Sequence, residues 1–257
     1  MIHYAGLLGR IHIFFSSKKD GNMSLEYTAN EREQKIIKKN IKNFLQQINL
    51  PENNIIFMKP NFGQRIEIIT HKDPRLISKD PVLADGLLTY TPYLALACCY
   101  GDCLPIIIYA EKYGNIVSLL HAGRANLTKI IQKAISLLTL EFKIKNKNLV
   151  IVIGPAIKKE SYILPEFCLK EEKNNFFWQD CLEETKLDEK KEKYFKVDMV
   201  KAVKNIVTNS GIPEENIKEM PFDTYKNNLF FSHYRAMRNR NNEKEGRFLG
   251  LVYIRGI

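Results

Sequence analysis

Two short stretches carry residue types that do chemistry. In Gly101-Asp102-Cys103-Leu104-Pro105 an apolar run breaks at a glycine and presents a carboxylate and a thiol before the chain resumes; in His121-Ala122-Gly123 a second apolar run ends on an imidazole. Polar groups at strand ends are well placed to meet a ligand. Cys103 and His121 stand 18 residues apart, a separation that a strand, a turn and a neighbouring strand fold back into contact. The pair is therefore expected to meet at the mouth of one pocket.

A thiol beside an imidazole supports two functional readings: two ligands of a zinc or copper ion, or a nucleophile with its base. The plain structural alternative is a buried cysteine behaving as a small hydrophobe next to a hydrogen-bonded histidine. Cys98 and Cys99, inside the apolar run, belong to that alternative. Asp102 joins Cys103 and His121 as a candidate catalytic group. Asp85 and the Ser232 hydroxyl are candidates for binding a sugar or moving a proton, or else cap local backbone.

The elements that must position these residues are legible from periodicity. Apolar runs of strand length over 54–58, 65–70, 93–99, 104–109, 116–120 and 149–153 predict a sheet. Ile37, Ile41, Phe44, Leu45 and Ile48 repeat at helical spacing and predict a helix over 30–48, opened by a capping box at Thr28-Ala29-Asn30-Glu31 and followed by Pro51. A second helix is marked by Leu127, Ile130, Ile131, Ala134, Ile135, Leu137 and Leu138. A third is marked by Val200, Val203, Ile206 and Val207, with Asp198 at its start and Gly211 just past its end. The predicted class is α/β (α+β), a mixed sheet core with flanking helices.

Bulk properties set the frame. A chain of 257 residues, 45% hydrophobic, buries a large core, and no linker divides it, so a single domain over 1–257 is expected. The polar stretches at 170–193 and 238–244 read as surface excursions. The N-terminus carries His3, Arg10 and His12 and lacks a signal-peptide pattern, and no segment has the apolar length of a membrane span. Five cysteines, three of them crowded at 98–103, read as reduced thiols of a cytoplasmic protein. The net charge of +10 comes mostly from lysines scattered among Asn and Ile, a pattern of solvated faces without nucleic-acid motifs, so no nucleic-acid or membrane partner is expected.

Five ordered motifs carry a resemblance. Ala84-Asp85-Gly86-Leu87-Leu88-Thr89, Gly101-Asp102-Cys103-Leu104-Pro105, His121-Ala122-Gly123, Ile153-Gly154-Pro155-Ala156-Ile157 and Phe230-Phe231-Ser232-His233-Tyr234-Arg235, closing with Gly246-Arg247, resemble the YfiH-like family, also labelled polyphenol oxidoreductase or laccase domain. The resemblance covers residues 24–254. It implies a purine nucleoside phosphorylase in which phosphate, the co-substrate, attacks the ribose of adenosine, inosine, guanosine or methylthioadenosine; adenosine deaminase activity is also implied. It further implies a metal, usually zinc, held by one Cys and two His. The Cys and the second His correspond to Cys103 and His121.

This chain departs from the pattern where the first His would stand. It reads Lys59-Pro60-Asn61-Phe62-Gly63-Gln64-Arg65, with Phe62 at that place. Two protein ligands give less affinity than the three of a catalytic zinc, so weak or absent zinc is expected, with His71 as the substitute ligand to examine. The family's His-Ala-Gly-Trp-Arg-Gly becomes His121-Ala122-Gly123-Arg124-Ala125-Asn126, and Asp223-Thr224 stands in place of a Cys-Thr.

Phosphorolysis needs donors for a dianion, which arginine forks supply. Arg65, Arg235 and Arg247 are the candidates within the motifs, Asp85 joins them in binding substrate, and Arg124 is considered as the neighbour of His121. The alternatives are a Cys-His hydrolase with Cys103 as nucleophile, and a chain that keeps the fold and binds a nucleoside or a protein without turnover. Blue-copper oxidation is disfavoured, because five histidines are too few for several copper sites.

Overall fold

Continuous apolar runs such as Leu104–Ala110 and Ile116–Ala122 lack polar alternation, which suits strands covered on both faces. The computed structural model, which describes residues 1–5, 9–25, 30–110, 116–185, 192–239 and 243–256, arranges them that way. One six-stranded sheet has the order β1-β2-β15-β7-β3-β5, with β1 Ile2–Ala5, β2 Ile11–Phe15, β15 Phe248–Ile254, β7 Ala95–Tyr100, β3 Ile55–Lys59 and β5 Val82–Leu83. A second has the order β14-β10-β8-β9-β6-β4, with β14 Ile217–Glu219, β10 Val150–Ile153, β8 Leu104–Ala110, β9 Ile116–Ala122, β6 Gly86–Thr89 and β4 Ile66–Ile68. A small antiparallel sheet joins β11 Ile163–Pro165, β13 Tyr194–Val197 and β12 Leu182–Glu184. The described helices are α1 Glu31–Gln47, α2 Arg75–Ser78, α3 Leu127–Ser136, α4 Lys170–Lys173, α5 Met199–Asn209 and α6 His233–Arg238.

The period of two sorts the strand side chains into layers. Ile107 and Tyr109 of β8 meet Phe15, Leu96 and Tyr100 between the two large sheets. Leu104, Ile106 and Ile108 of the same strand face Ile130 and Ile131 of α3 and Val203 and Ile206 of α5. On the far side, Ala95 and Ala97 of β7 pack beneath Phe44 and Leu45 of α1. The layers thus run α1, first sheet, second sheet, α3 with α5. The expected mixed sheet with flanking helices is present, divided into two large sheets.

Several boundaries differ from the sequence reading. Helix α1 is capped by Asn30, whose side chain accepts the Arg32 N–H at 2.9 Å; Thr28 and Ala29 of the expected capping box lie outside the described residues. Asp198 caps α5 as expected, accepting the Lys201 N–H at 2.9 Å, and Gly211 follows in the left-handed region at φ 79°. Helix α3 relaxes into a wide π turn over Leu137–Glu141. Strands β1, β2 and β15 were not predicted: they pair the two ends of the chain, β15 running antiparallel to β2, and such long-range pairing leaves no local signature. No disulfide joins the five cysteines. Among the described residues no helix is long and apolar enough to cross a membrane.

Candidate active site

The second sheet brings the chemistry-bearing residues together at one end. In the antiparallel β8–β9 pair, Pro105 lies opposite His121 and Leu104 opposite Ala122, so Cys103 stands just beyond the start of β8 beside the end of β9. Strand β6 begins at Gly86 opposite Leu120, which sets Asp85 on the other flank, where its carbonyl accepts the His121 N–H at 2.8 Å. Three adjacent strand ends therefore deliver Cys103, His121 and Asp85 to one place.

The side chains form a line. His121 is buried, with Nδ1 3.3 Å from Asp85 Oδ1, and the Cys103 sulfur lies close enough to act on its charge. Burial alone would push the imidazole down, but the Cys103 sulfur and the Asp85 carboxylate outweigh it and raise His121 from 6.5 to about 9. Burial likewise pushes Asp85 up, yet His121 and the backbone N–H groups of Gly63 and Asn61 hold it below the ordinary value. Cys103 is partly exposed and is the member of the line that faces outward.

Two strained backbone positions border this line, each pinned by a buried carboxylate. Phe62 has φ 59°; the consecutive N–H groups of Asn61, Phe62 and Gly63 all donate to Asp85, at 3.2, 3.0 and 2.7 Å. Asp102 has φ 104°; its carboxylate accepts the Thr224 hydroxyl at 2.6 Å and the Tyr234 N–H at 2.7 Å. Burial raises the Asp102 carboxyl against those donors. Non-glycine residues persist in such conformations only where their surroundings over-determine them, most often at functional sites. Asp102 thus ties the turn before Cys103 to Thr224 and Tyr234.

Asn126 and Tyr162, which sequence reading passed over, and Arg124, which it considered, surround the site. Asn126 donates to Gly63 O at 3.0 Å, Asp85 Oδ1 at 3.2 Å and His121 O at 3.2 Å, and accepts the Gly123 N–H at 2.9 Å. It ties the Phe62 loop to the end of β9, and its place just before a helix was the available signal. Tyr162 lies near Cys103 and Arg124; burial pushes its hydroxyl up to about 12. Arg124 donates to Cys168 O at 2.8 Å and to the buried Glu172 at 2.5 Å.

The other candidates fall into place one by one. Arg247 is buried, lies across Gly101 two residues before Cys103, and donates to Glu245 at 3.0 Å and Gly246 O at 2.9 Å. Arg65 points away to Glu67 at 2.7 Å with its side chain 63% exposed. Arg235 is a correction: its N–H groups go to Glu243 and to the carbonyls of Thr224, Tyr225 and Phe230. A guanidinium has five donors, and all five are used within the fold, so Arg235 is not an anion fork. Ser232 caps α6, accepting the Arg235 N–H at 3.1 Å. Asp85 is engaged by the N–H groups of residues 61–63, by Asn126 and by His121.

The implied zinc does not fit. Phe62 sets its ring edge-on to His121, with centroids 5.1 Å apart, and offers no donor atom where a ligand would stand. His71 is exposed in the turn between β4 and α2. Among the described residues no three His, Cys, Asp or Glu side chains are placed to hold a metal ion, which corrects the expectation of His71 as substitute ligand. Cys103 and His121 do meet, as expected. The Phe62 ring lies beside them, edge-on to His121 and against Gly123. A groove of about 640 Å3 lies elsewhere, between α1 and the edge formed by β3 and β5.

Comparison with known proteins sets the site in a family. Residues 14–255 match the family described as multi-copper polyphenol oxidoreductase laccase. A purine nucleoside phosphorylase of Mycobacterium tuberculosis is 32% identical over 119 residues, 46% of this chain and 45% of that protein, so the match spans less than half of that relative. A Staphylococcus epidermidis protein of the same name is 27% identical over 80% of this chain and 74% of its own. The crystal structure of Bacillus licheniformis YfiH shares the fold, with a TM-score of 0.81, 22% identity and coverage of 95% and 93%; that of YlmD from Geobacillus stearothermophilus gives a TM-score of 0.79 at 22% identity, covering 96% and 92%. From the match over residues 14–255 and the shared fold, this chain belongs to the YfiH-like, laccase-labelled polyphenol oxidoreductase family.

Proposed function

We propose that this chain is a purine nucleoside phosphorylase that works without a resident metal. The observation that carries this reading is the buried imidazole of His121, set between Asp85 and the partly exposed Cys103, whose charges favour its protonated form. Curated relatives carry the phosphorylase name. In phosphorolysis a phosphate oxygen forms a bond to the anomeric carbon, the bond from that carbon to the base nitrogen breaks, and the base takes a proton. His121, through Cys103, supplies that proton, and Asp85 keeps the imidazole oriented and charged. Arg247, packed across Gly101, holds the dianion with a fork geometry that lysine lacks.

The test is release of free base together with ribose 1-phosphate from adenosine, inosine and guanosine, and with 5-methylthioribose 1-phosphate from methylthioadenosine. Equal amounts of both products, and none without phosphate, are expected; base release that ignores phosphate would overturn the reading. Arg247→Ala is expected to raise the phosphate requirement more than the nucleoside requirement.

A second reading, a hydrolase with Cys103 as nucleophile, is favoured by one feature: thiol, imidazole and carboxylate lie in the order nucleophile, base and orienting group. Phosphorolysis needs no enzyme-bound intermediate. Mass spectrometry trapping a covalent Cys103 adduct during turnover would move the hydrolase ahead.

A further inference from the structure

We infer that Phe62 is a fixed aromatic platform on which the purine base stacks, beside Cys103 and His121. The inference deepens the phosphorylase reading and rests on it for the choice of ligand. Exposed apolar residues are common on any protein; Ile77 is 88% exposed and contacts no site. Phe62 differs in three respects. It is 55% exposed although it sits at the junction of three buried strand ends. Its backbone is held at φ 59° by three N–H bonds to a single buried carboxylate, a conformation unfavourable for a bulky side chain. Its ring is locked from behind, edge-on to His121 at 77° and pressed on Gly123, where a Cβ would come within 2.7 Å of the ring.

Gly123 also fixes the ring's distance from the thiol. The same Cβ would lie 3.3 Å from Cys103 Sγ, so the ring and the sulfur rest against one backbone position. The fold therefore holds an aromatic ring rigidly at the surface, next to the one outward-facing member of the His121 line. A rigid ring loses little freedom on binding, and every base has a π face to lay on it. The ligand class that fits is a flat heteroaromatic carrying a polar substituent that reaches Cys103, which a purine nucleoside supplies.

Stacking on a protein ring changes affinity on the order of 10- to 100-fold. The test is inosine binding by calorimetry in the absence of phosphate, with proton NMR of the base, for the wild type, Phe62→Leu and Phe62→Tyr. Expected are upfield ring-current shifts of the purine protons in the wild type and in Phe62→Tyr. In Phe62→Leu those shifts vanish and inosine binds on the order of 10- to 100-fold more weakly, with an unchanged urea midpoint. Equal affinity in Phe62→Leu, purine shifts that survive the substitution, or no inosine binding by the wild type would each overturn the inference. Binding that depends on Phe62 without phosphate-dependent turnover would support the platform and sink the phosphorylase reading, so the two fail separately.

Discussion

Two buried charged clusters in this fold spend their charge in opposite ways. Around Arg235, every donor is matched by Glu243 or a backbone carbonyl, and the result is a closed clamp joining α6 to the segment before it. Around His121, one ring nitrogen meets Asp85 and the other side meets a sulfur that still faces outward. Both clusters hold buried ions and both lie in family motifs. Burial of charge therefore does not distinguish a site from a clamp; an open valence at its edge does. The same test separates the two strained turns, since the donors to Asp102 close its turn whereas those to Asp85 prop up an exposed ring.

The largest effect is expected at the clamp. Arg235→Met leaves three carbonyls without their donor and Glu243 with Lys18 as its remaining cation, and should cost about 3 kcal/mol in urea denaturation, with no rescue by Lys, which lacks the fork. A small stability loss together with a raised phosphate requirement would return Arg235 to the anion site. Next comes Asp85→Ala, which strands the N–H groups of residues 61–63. A loss of about 2–3 kcal/mol is expected, with faster amide exchange confined to that loop and the end of β9. Global exchange, or none, would mean that Asp85 does not hold the Phe62 loop.

A smaller effect separates the clusters by pH. The folded chain raises His121 from 6.5 to about 9, chiefly through Cys103 and Asp85 acting against burial. The imidazole is protonated in both folded and unfolded chains below 6.5, where its contribution to stability is fully present. As pH rises from there through about 9, the unfolded chain gives up its proton first, and the contribution is lost. Urea midpoints should fall across that window in the wild type and fall less in Cys103→Ala; identical slopes would show that the sulfur does not hold the proton. The smallest effect belongs to Arg65→Ala, within about 0.5 kcal/mol and without change in phosphate requirement, because its ion pair with Glu67 is solvent-screened.

Much of this layout was legible in the sequence. Strands β8 and β9 were visible as unbroken apolar runs, one starting just after Cys103 and the other ending at His121, and the 18-residue spacing between those two allowed only a short return. Helices α3 and α5 showed their buried stripes directly. What was not legible depends on partners distant in the chain. Nothing near Arg235 announces that Thr224, Tyr225 and Phe230 turn their carbonyls toward it. Phe62 could be read only as a ligand that was absent, because its role comes from Asp85 and Gly123, brought to it by folding. The bonds of Asn126 to Gly63 and Asp85 were hidden for the same reason, although its place before α3 gave a local signal, as was the pairing of β2 with β15.

The central claim, that the proton on His121 is the one the reaction uses, is tested most directly by the pH profile of phosphate-dependent base release in the wild type and Asp85→Asn. Loss of kcat/KM in the wild type is expected on the alkaline side near pH 9, where His121 gives up its proton. In Asp85→Asn, with the carboxylate charge gone, that limb should move to lower pH while the phosphate requirement holds. A limb that stays in place in Asp85→Asn would contradict the claim and leave His121 as a structural residue.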